Sequence, residues 1–156
     1  MNARRRPRRG RRRSILQYAW AFPATAVGLA LAVAARAAGA RAAVVDGVIE
    51  VGGGRVARAV SLLPDRLRFA AITFGHVIIG VDRTALARCR AHERVHVRQY
   101  ERWGILFFPL YLGSSLLQLA RGRDAYRYNY FERQAHRETA AAAEPETAKC
   151  AEERLP

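Results

Sequence analysis

Residues 82–103 read DRTALARCRAHERVHVRQYERW, and this stretch decides the fold. Asp82 can cap a helix, because its carboxylate can accept hydrogen bonds from the free backbone amides at a helix start. Small, aromatic and imidazole side chains then recur at steps of three or four, so they share one face of that helix. They are Ala85, Cys89, His92, His96, Tyr100 and Trp103. The pattern predicts a helix over 83–103.

Within this helix, residues 92–96 form an H-E-x-x-H sequence. One helical turn separates His92 from His96, so both imidazoles can reach one Zn²⁺. Glu93 lies on the neighbouring strip, where its carboxylate can take a proton from zinc-bound water and pass it to a leaving amine. The alternative is a helix on which these side chains are merely solvated polar groups.

A catalytic zinc site needs a third protein ligand, and residues 129–136, NYFERQAH, offer Glu132 in a second short helix. Here the chain resembles the gluzincin metallopeptidases, in which a glutamate on a later helix completes a two-histidine site. The matching positions are Asn129, Glu132 and Ala135, and the resemblance covers about 70–136. It implies Zn²⁺ as the cofactor and a peptide or protein as the substrate.

Two kinds of neighbour could assist this site. His136 stands where the family usually has an acidic or small residue, and it lies one turn from Glu132. Either His136 or Asn129 could be an alternative ligand or could hydrogen-bond to a ligand. Three tyrosines just before Glu132 are candidates for the donor to a developing oxyanion, although such rings also pack or sit at membrane interfaces. They are Tyr126, Tyr128 and Tyr130.

Two stretches have β character. In 44–51 an Asp-Gly pair stands between alternating apolar residues, which predicts a tight hairpin. β-Branched and aromatic residues are concentrated in 70–79. The resemblance implies that the strand 72–79 lies along the cleft and binds an extended peptide through its backbone. The candidate contact residues are Thr73, Phe74, Gly75, His76 and Val77, with His76 expected to be a surface or core histidine rather than a fourth ligand.

The charge is concentrated at the start of the chain. The formal net charge is +14, but eight arginines lie between Arg4 and Arg13, directly before the uncharged stretch 14–35. Such a cluster indicates a topology signal or an anchor for anionic headgroups, and no recognisable nucleic-acid module accompanies it, so nucleic acid is not expected as a partner. A retained membrane anchor is favoured over a cleaved twin-arginine signal.

A second apolar stretch, 103–120, lies between the two halves of the predicted site and contains Pro109 and Gly113. A single membrane crossing here would place the H-E-x-x-H helix and the glutamate helix on opposite sides of the bilayer. One zinc ion could not then bind both. The stretch is therefore expected to form a bent pair of short helices that dips into the membrane or packs as a core hairpin.

Together these features predict an α+β chain with a minimal zincin-like domain over 39–138. The other segments are a basic leader at 1–13, a membrane anchor or signal-like helix at 14–38 and a disordered tail rich in Ala and Glu at 139–156. The predicted function is a zinc metallopeptidase associated with lipid of the cell membrane. The leader favours an extracytoplasmic site, whereas the arginine-rich body favours the cytoplasm. The alternatives are a non-catalytic zinc-binding membrane protein and a basic binder of nucleic acid or anionic lipid.

Overall fold

The computed structural model of the protein describes residues 15–142, so the predicted leader at 1–13 and residues 143–156 lie outside the described residues. Residues 15–142 form a mixed α+β fold with five α-helices, two single-turn 3₁₀ helices and a four-stranded sheet. The α-helices are α1 (Ile15–Ala37), α2 (Val56–Ser61), α3 (Arg83–Trp103), α4 (Phe107–Ala120) and α5 (Tyr130–Ala142). The strands are β1 (Arg41–Val45), β2 (Val48–Gly52), β3 (Ala71–Phe74) and β4 (Val77–Gly80). The 3₁₀ helices are Asp65–Leu67 and Gly104–Leu106.

The sheet has the order β1-β2-β4-β3, with β2 and β4 parallel and the other two pairs antiparallel. The hairpin predicted in 44–51 is confirmed. Asp46 and Gly47 form its two-residue turn with φ angles of 46° and 74°, which is the left-handed region that Asp-Gly pairs tolerate. β3 ends the sheet on the side opposite β1.

The prediction of one strand over 72–79 is wrong, because the chain turns back on itself between β3 and β4. Gly75 adopts φ 59°, and a side chain there would overlap Thr25 of α1. This glycine can therefore form the turn that a β-branched residue could not. Of the predicted peptide-contact residues only Thr73 and Phe74 lie in the terminal strand, whereas Val77 lies in β4, inside the sheet.

α1 packs on one face of the sheet through a stripe of small residues. Ala21, Gly28 and Ala32 are buried, and a Cβ atom on Gly28 would lie 2.8 Å from the carbonyl oxygen of Phe74. The helix thus approaches the backbone of β3 more closely than a larger side chain would permit. Thr25 adds a polar tie, since its Oγ1 accepts a hydrogen bond from the amide of His76 at 3.1 Å. α1 is part of the domain core rather than a free extension.

α3 covers the other face of the sheet and spans the predicted residues. Asp82 caps it, its Oδ1 accepting a hydrogen bond from the amide of Ala85 at 2.7 Å. Arg90 donates two hydrogen bonds to the buried carboxylate of Glu50, at 2.9 and 2.8 Å, and so ties α3 to β2. A paired, bidentate contact of this kind fixes the orientation of the helix as well as its position. The histidine face of α3 is consequently held in one register against the sheet.

The expected helical hairpin at 103–120 is instead a single helix after a sharp bend. The bend lies at Gly104, which has φ 55° and sits against the ring of Trp20, so no side chain fits there. Pro109 is the third residue of α4, where a backbone amide has no partner in the helix, so it does not break the helix. α5 continues to Ala142, four residues beyond the end predicted for the domain at 138.

Two helical segments of the described chain, 15–37 and 83–120, are long and apolar enough to cross a membrane. A core helix of a soluble protein or a signal sequence would pass the same criterion. In each segment, however, only 17% of the apolar 18-residue stretch is buried, whereas the core helix of a soluble protein would be mostly buried. A large apolar surface is therefore left exposed on α1 and α4.

Candidate metal centre

The centre of the molecule holds two imidazoles from consecutive turns of α3. His92 and His96 are 6% and 7% exposed, and their Nε2 atoms lie 3.1 Å apart. Their rings meet edge to face, with centroids 4.8 Å apart. The helical spacing predicted from the sequence thus brings both ring nitrogens to one point on the buried side of α3.

Glu132 on α5 completes a three-residue group. Its Oε2 lies 3.2 Å from Nε2 of His92, and its Oε1 lies 3.4 Å from Nε2 of His96. Ligand atoms about 2.0–2.1 Å from one tetrahedral zinc ion lie roughly 3.3 Å from each other. The two Nε2 atoms are 3.1 Å apart and each lies within 3.4 Å of one of the two oxygens of Glu132, and one ligand atom from each residue can be chosen so that all three lie within 4.8 Å of one another. The group His92, His96 and Glu132 could therefore hold a metal ion, and all three residues are buried.

The hydrogen bonding of Glu132 also fits a cation. Its Oε2 is buried and has no hydrogen-bond partner of acceptable geometry among residues 15–142, despite its closeness to His92. A buried carboxylate oxygen without a partner is costly, and a metal ion would satisfy it. Burial by itself raises the pKa of Glu132, but contact with His92, the charges of His96 and His92 and the hydroxyl of Tyr111 together lower that pKa to about 2.

Gln99 orients the second imidazole. Its Nε2 donates to the carbonyl oxygen of Phe131 at 3.1 Å and to Oε1 of Gln134 at 3.2 Å, so its Oε1 is left as an acceptor. That Oε1 lies 2.8 Å from Nδ1 of His96. The proton of a neutral His96 is thus placed on Nδ1, and the lone pair of Nε2 points to the metal group. Gln99, which is buried, links the imidazole to α5 in the same network.

Glu93 is 2% exposed and is held by the terminal strand. The hydroxyl of Thr73 donates to its Oε2 at 2.7 Å. Glu93, His96 and Glu132 line the same cleft, with a volume of about 160 Å³. The other walls are β3 and residues from the start of α4. Glu93, two of the three residues that could hold a metal ion, and a sheet edge therefore meet at one cavity.

Tyr111 is the contact that the sequence-based prediction missed. Its hydroxyl donates to Oε1 of Glu132 at 2.7 Å. The available signal was a polar stripe inside the apolar segment 103–120, where Tyr111, Ser114 and Ser115 recur at steps of three or four. Such spacing in an otherwise apolar helix marks the face turned toward polar partners.

Asn129 positions α5 and does not belong to the metal-binding group. Its Oδ1 accepts a hydrogen bond from the amide of Phe131 at 2.8 Å, which is a helix-capping contact. Its Nδ2 donates to the carbonyl oxygen of Tyr111 at 3.0 Å and to Oγ of Ser115 at 2.7 Å. Asn129 is fully buried, so these bonds fix the start of the helix that carries Glu132.

The remaining candidates lie around this centre. His136 is not in the three-residue group, but its ring centroid lies 4.8 Å from that of His92. The ring of Tyr126 in turn lies 6.2 Å from that of His136. Tyr128 and Tyr130 are 46% and 59% exposed. A hydroxyl contact to Glu132 is made by Tyr111.

His76 lies in the turn between β3 and β4 and is 3% exposed. Its Nε2 is 3.2 Å from Oε1 of Glu101, and its ring stacks on that of Tyr18 with centroids 4.3 Å apart. These contacts tie α1 to α3. His76 is thus a core histidine, one of the two positions expected for it.

Comparison of the chain with models of protein families, with curated proteins and with solved structures found no match in any of the three.

Proposed function

We propose that the protein is a membrane-associated zinc peptidase. The observation that carries this proposal is the cleft, because it reaches Glu93, His96 and Glu132 and is bordered by the terminal strand. A structural zinc site is normally closed by four protein ligands, whereas a catalytic site has three and keeps a position open. Three buried ligand groups beside an open cavity support the catalytic alternative.

The reaction is hydrolysis of a peptide bond. A zinc ion, when bound, supplies a Lewis acid and lowers the pKa of a coordinated water. His92, His96 and Glu132 would hold the ion, and Glu93 takes the proton from water on its carboxylate. Water oxygen is added to the carbonyl carbon, the C–N bond breaks, and Glu93 returns the proton to the departing nitrogen. The products are one carboxylate and one amine, so no other reactant is needed.

Thr73 couples the base to the substrate. Its hydroxyl holds the Glu93 carboxylate, while its backbone belongs to β3, along which an extended peptide could pair. The base and the substrate backbone would then be positioned by the same strand. Such fixed positioning contributes to catalysis because little reorganisation is needed when the bond is attacked.

Membrane association is supported by α1. Its stripe of small residues is packed on the domain, while its other faces carry exposed apolar side chains, among them Leu16, Phe22 and Val33. The arginines before the helix would complement anionic headgroups. Because Ala21, Gly28 and Ala32 are buried in the domain, removing α1 as a signal would expose its core; retention is therefore proposed.

The test is a comparison of three variants reconstituted in lipid vesicles. Glu93→Gln is expected to lower hydrolysis of internally quenched peptides by roughly 10²- to 10⁴-fold, the usual contribution of a general base, with zinc content unchanged. His92→Ala is expected to lose both zinc and activity. Glu138→Gln, which makes the same change at a half-buried glutamate of α5 outside the three-residue group, is the matched control and should keep both.

Two outcomes would contradict the proposal. If Glu93→Gln cleaves as fast as the wild type, Glu93 is not the base. If the wild type binds zinc but cleaves none of the peptides, the protein is a non-catalytic zinc-binding membrane protein.

A further inference from the structure

The polarity of α4 is reversed relative to a helix on the surface of a soluble protein. Its inward stripe is polar: Tyr111 contacts Glu132, and the Oγ of Ser114 accepts a hydrogen bond from the amide of Tyr130 at 2.9 Å. Its outward residues are large and apolar, and each is between 42% and 59% exposed. They are Phe108, Leu110, Leu112, Leu116, Leu117 and Leu119. A helix in water would show the opposite arrangement, so this outward surface suits hydrocarbon.

The cleft opens at the border of this outward surface. Phe107 and Phe108 are the first two residues of α4, and both line the cleft. Phe107 is buried, but Phe108 is 59% exposed and belongs to the outward surface as well. One aromatic ring is thus shared by the cleft wall and the apolar surface. Across the cleft lies β3, whose four residues all contribute to the lining.

The charge distribution favours lipid as the occupant of this surface. α4 contains no charged residue, and the arginines Arg121 and Arg123 follow directly after its end. Arginines at the end of an apolar helix can reach anionic headgroups while the helix lies in the acyl region. The segment 83–120 as a whole is long enough to cross a membrane, but the bend at Gly104 leaves α4 with 14 residues, about 21 Å, which is too short to cross a hydrocarbon core of about 30 Å. It therefore fits a helix that lies along the surface of one leaflet, with its outward side chains in the acyl region, and does not cross the bilayer.

We infer that the substrate is a membrane-anchored polypeptide that enters the cleft from the lipid side and is cleaved close to its apolar anchor. The inference rests on the proposed peptidase function. With α4 in the acyl region, the cleft mouth beside Phe108 lies at the level where an anchored chain leaves the bilayer. The chain would pair with β3 as an extended strand, and its apolar side chains would contact Phe107 and Phe108. A peptide far from the bilayer would have no comparable access.

The test uses internally quenched peptides in two forms. Both forms carry the same set of cleavable sequences and the same lipid anchor. In one form the cleavable segment directly follows an N-terminal palmitoyl group; in the other a Gly-Ser spacer of about 20 residues, with an average span of roughly 25 Å, separates the two. Both are inserted in phosphatidylcholine and phosphatidylglycerol vesicles that contain the full chain. Since both forms have the same surface concentration, their difference reports the position of the cleft. The directly anchored form is expected to be cleaved about ten times faster, a difference of about 1.4 kcal/mol in transition-state binding.

Variants then connect this preference to α4. Leu110→Glu and Leu116→Glu place a charge on the outward surface and are expected to abolish the preference, while zinc content and cleavage of the free peptide remain unchanged. Leu62→Glu is the matched control, because Leu62 is 83% exposed at the end of α2, away from this surface, and it should keep the preference.

Three results would overturn the inference. Equal cleavage of both forms, or faster cleavage of the spaced form, would place the cleft away from the bilayer and leave the proposed peptidase function intact. Conversion of a dimer into a monomer by Leu110→Glu, with vesicle binding retained, would make the outward surface a subunit interface. Absence of cleavage of every peptide, anchored or free, would remove the peptidase function and with it this inference.

Discussion

Replacing Gln99 tests how the metal group is oriented. Gln99→Leu removes the acceptor that lies 2.8 Å from Nδ1 of His96 and leaves that buried N–H without its partner. An unsatisfied buried donor costs about 1–3 kcal/mol, and each 1.4 kcal/mol corresponds to a tenfold change in an equilibrium constant. The expected loss of zinc affinity is therefore roughly 10- to 100-fold, which is also the range typical of residues that orient metal ligands.

Gln99→Glu is the matched control for this prediction. A carboxylate keeps the acceptor toward His96 but cannot donate to Phe131 or Gln134, so it separates the imidazole contact from the two contacts with α5. Its zinc affinity should stay within about threefold of wild type while its stability falls. Affinity is measured by competition with a chromophoric chelator and stability by thermal unfolding. If Gln99→Leu binds zinc as tightly as the wild type, the tautomer of His96 is not set by Gln99 and the reasoning is refuted.

Three further predictions concern single contacts. Tyr111→Phe removes the hydroxyl that donates to the metal-binding carboxylate and should weaken zinc binding by about fivefold in the same chelator assay, the equivalent of one hydrogen bond. Gly28→Ala should lower the free energy of unfolding, measured by denaturant titration, by about 1–3 kcal/mol, because the added Cβ would overlap the backbone of β3. Ala30→Val, on the exposed side of α1, is the control and should leave this free energy nearly unchanged. A hydrogen bond from Arg98 holds the pKa of Glu138 below its usual value, although partial burial opposes this. The ionised Glu138 therefore stabilises the fold at a pH above the usual pKa of a glutamate, and this stabilisation is lost as the pH falls through the lowered pKa. Glu138→Gln should remove this small part of the acid dependence, seen by comparing urea midpoints at about pH 6 and about pH 3; an unchanged acid dependence would contradict it.

The parts of the fold that the sequence predicts are those fixed by local chemistry. The span of α3 follows from a capping carboxylate at Asp82 and from the spacing of its buried face. The Asp-Gly turn between β1 and β2 follows from the φ angles that those residues tolerate. The convergence of His92 and His96 is a property of one helical turn.

The parts that were missed depend on contacts between distant segments. The sequence predicts a strand that continues through Gly75, because one glycine among β-branched residues does not reveal that Thr25 of α1 is packed against it. The bend at Gly104 likewise depends on the ring of Trp20, far away in the chain. The sequence draws attention to Tyr126, Tyr128 and Tyr130, because they lie just before Glu132 in the chain. The hydroxyl that contacts Glu132 comes from Tyr111 on another helix. Local periodicity predicts which face a side chain occupies but not which helix lies opposite.

The burial of α1 in the domain has a consequence for biosynthesis. α1 leaves the ribosome before α5, and the 94 residues 38–131 lie between its last residue, Ala37, and Glu132. The apolar helix can therefore reach the bilayer before the metal-binding set is complete. Under the proposed peptidase function, hydrolysis would begin only after α1 has reached the bilayer.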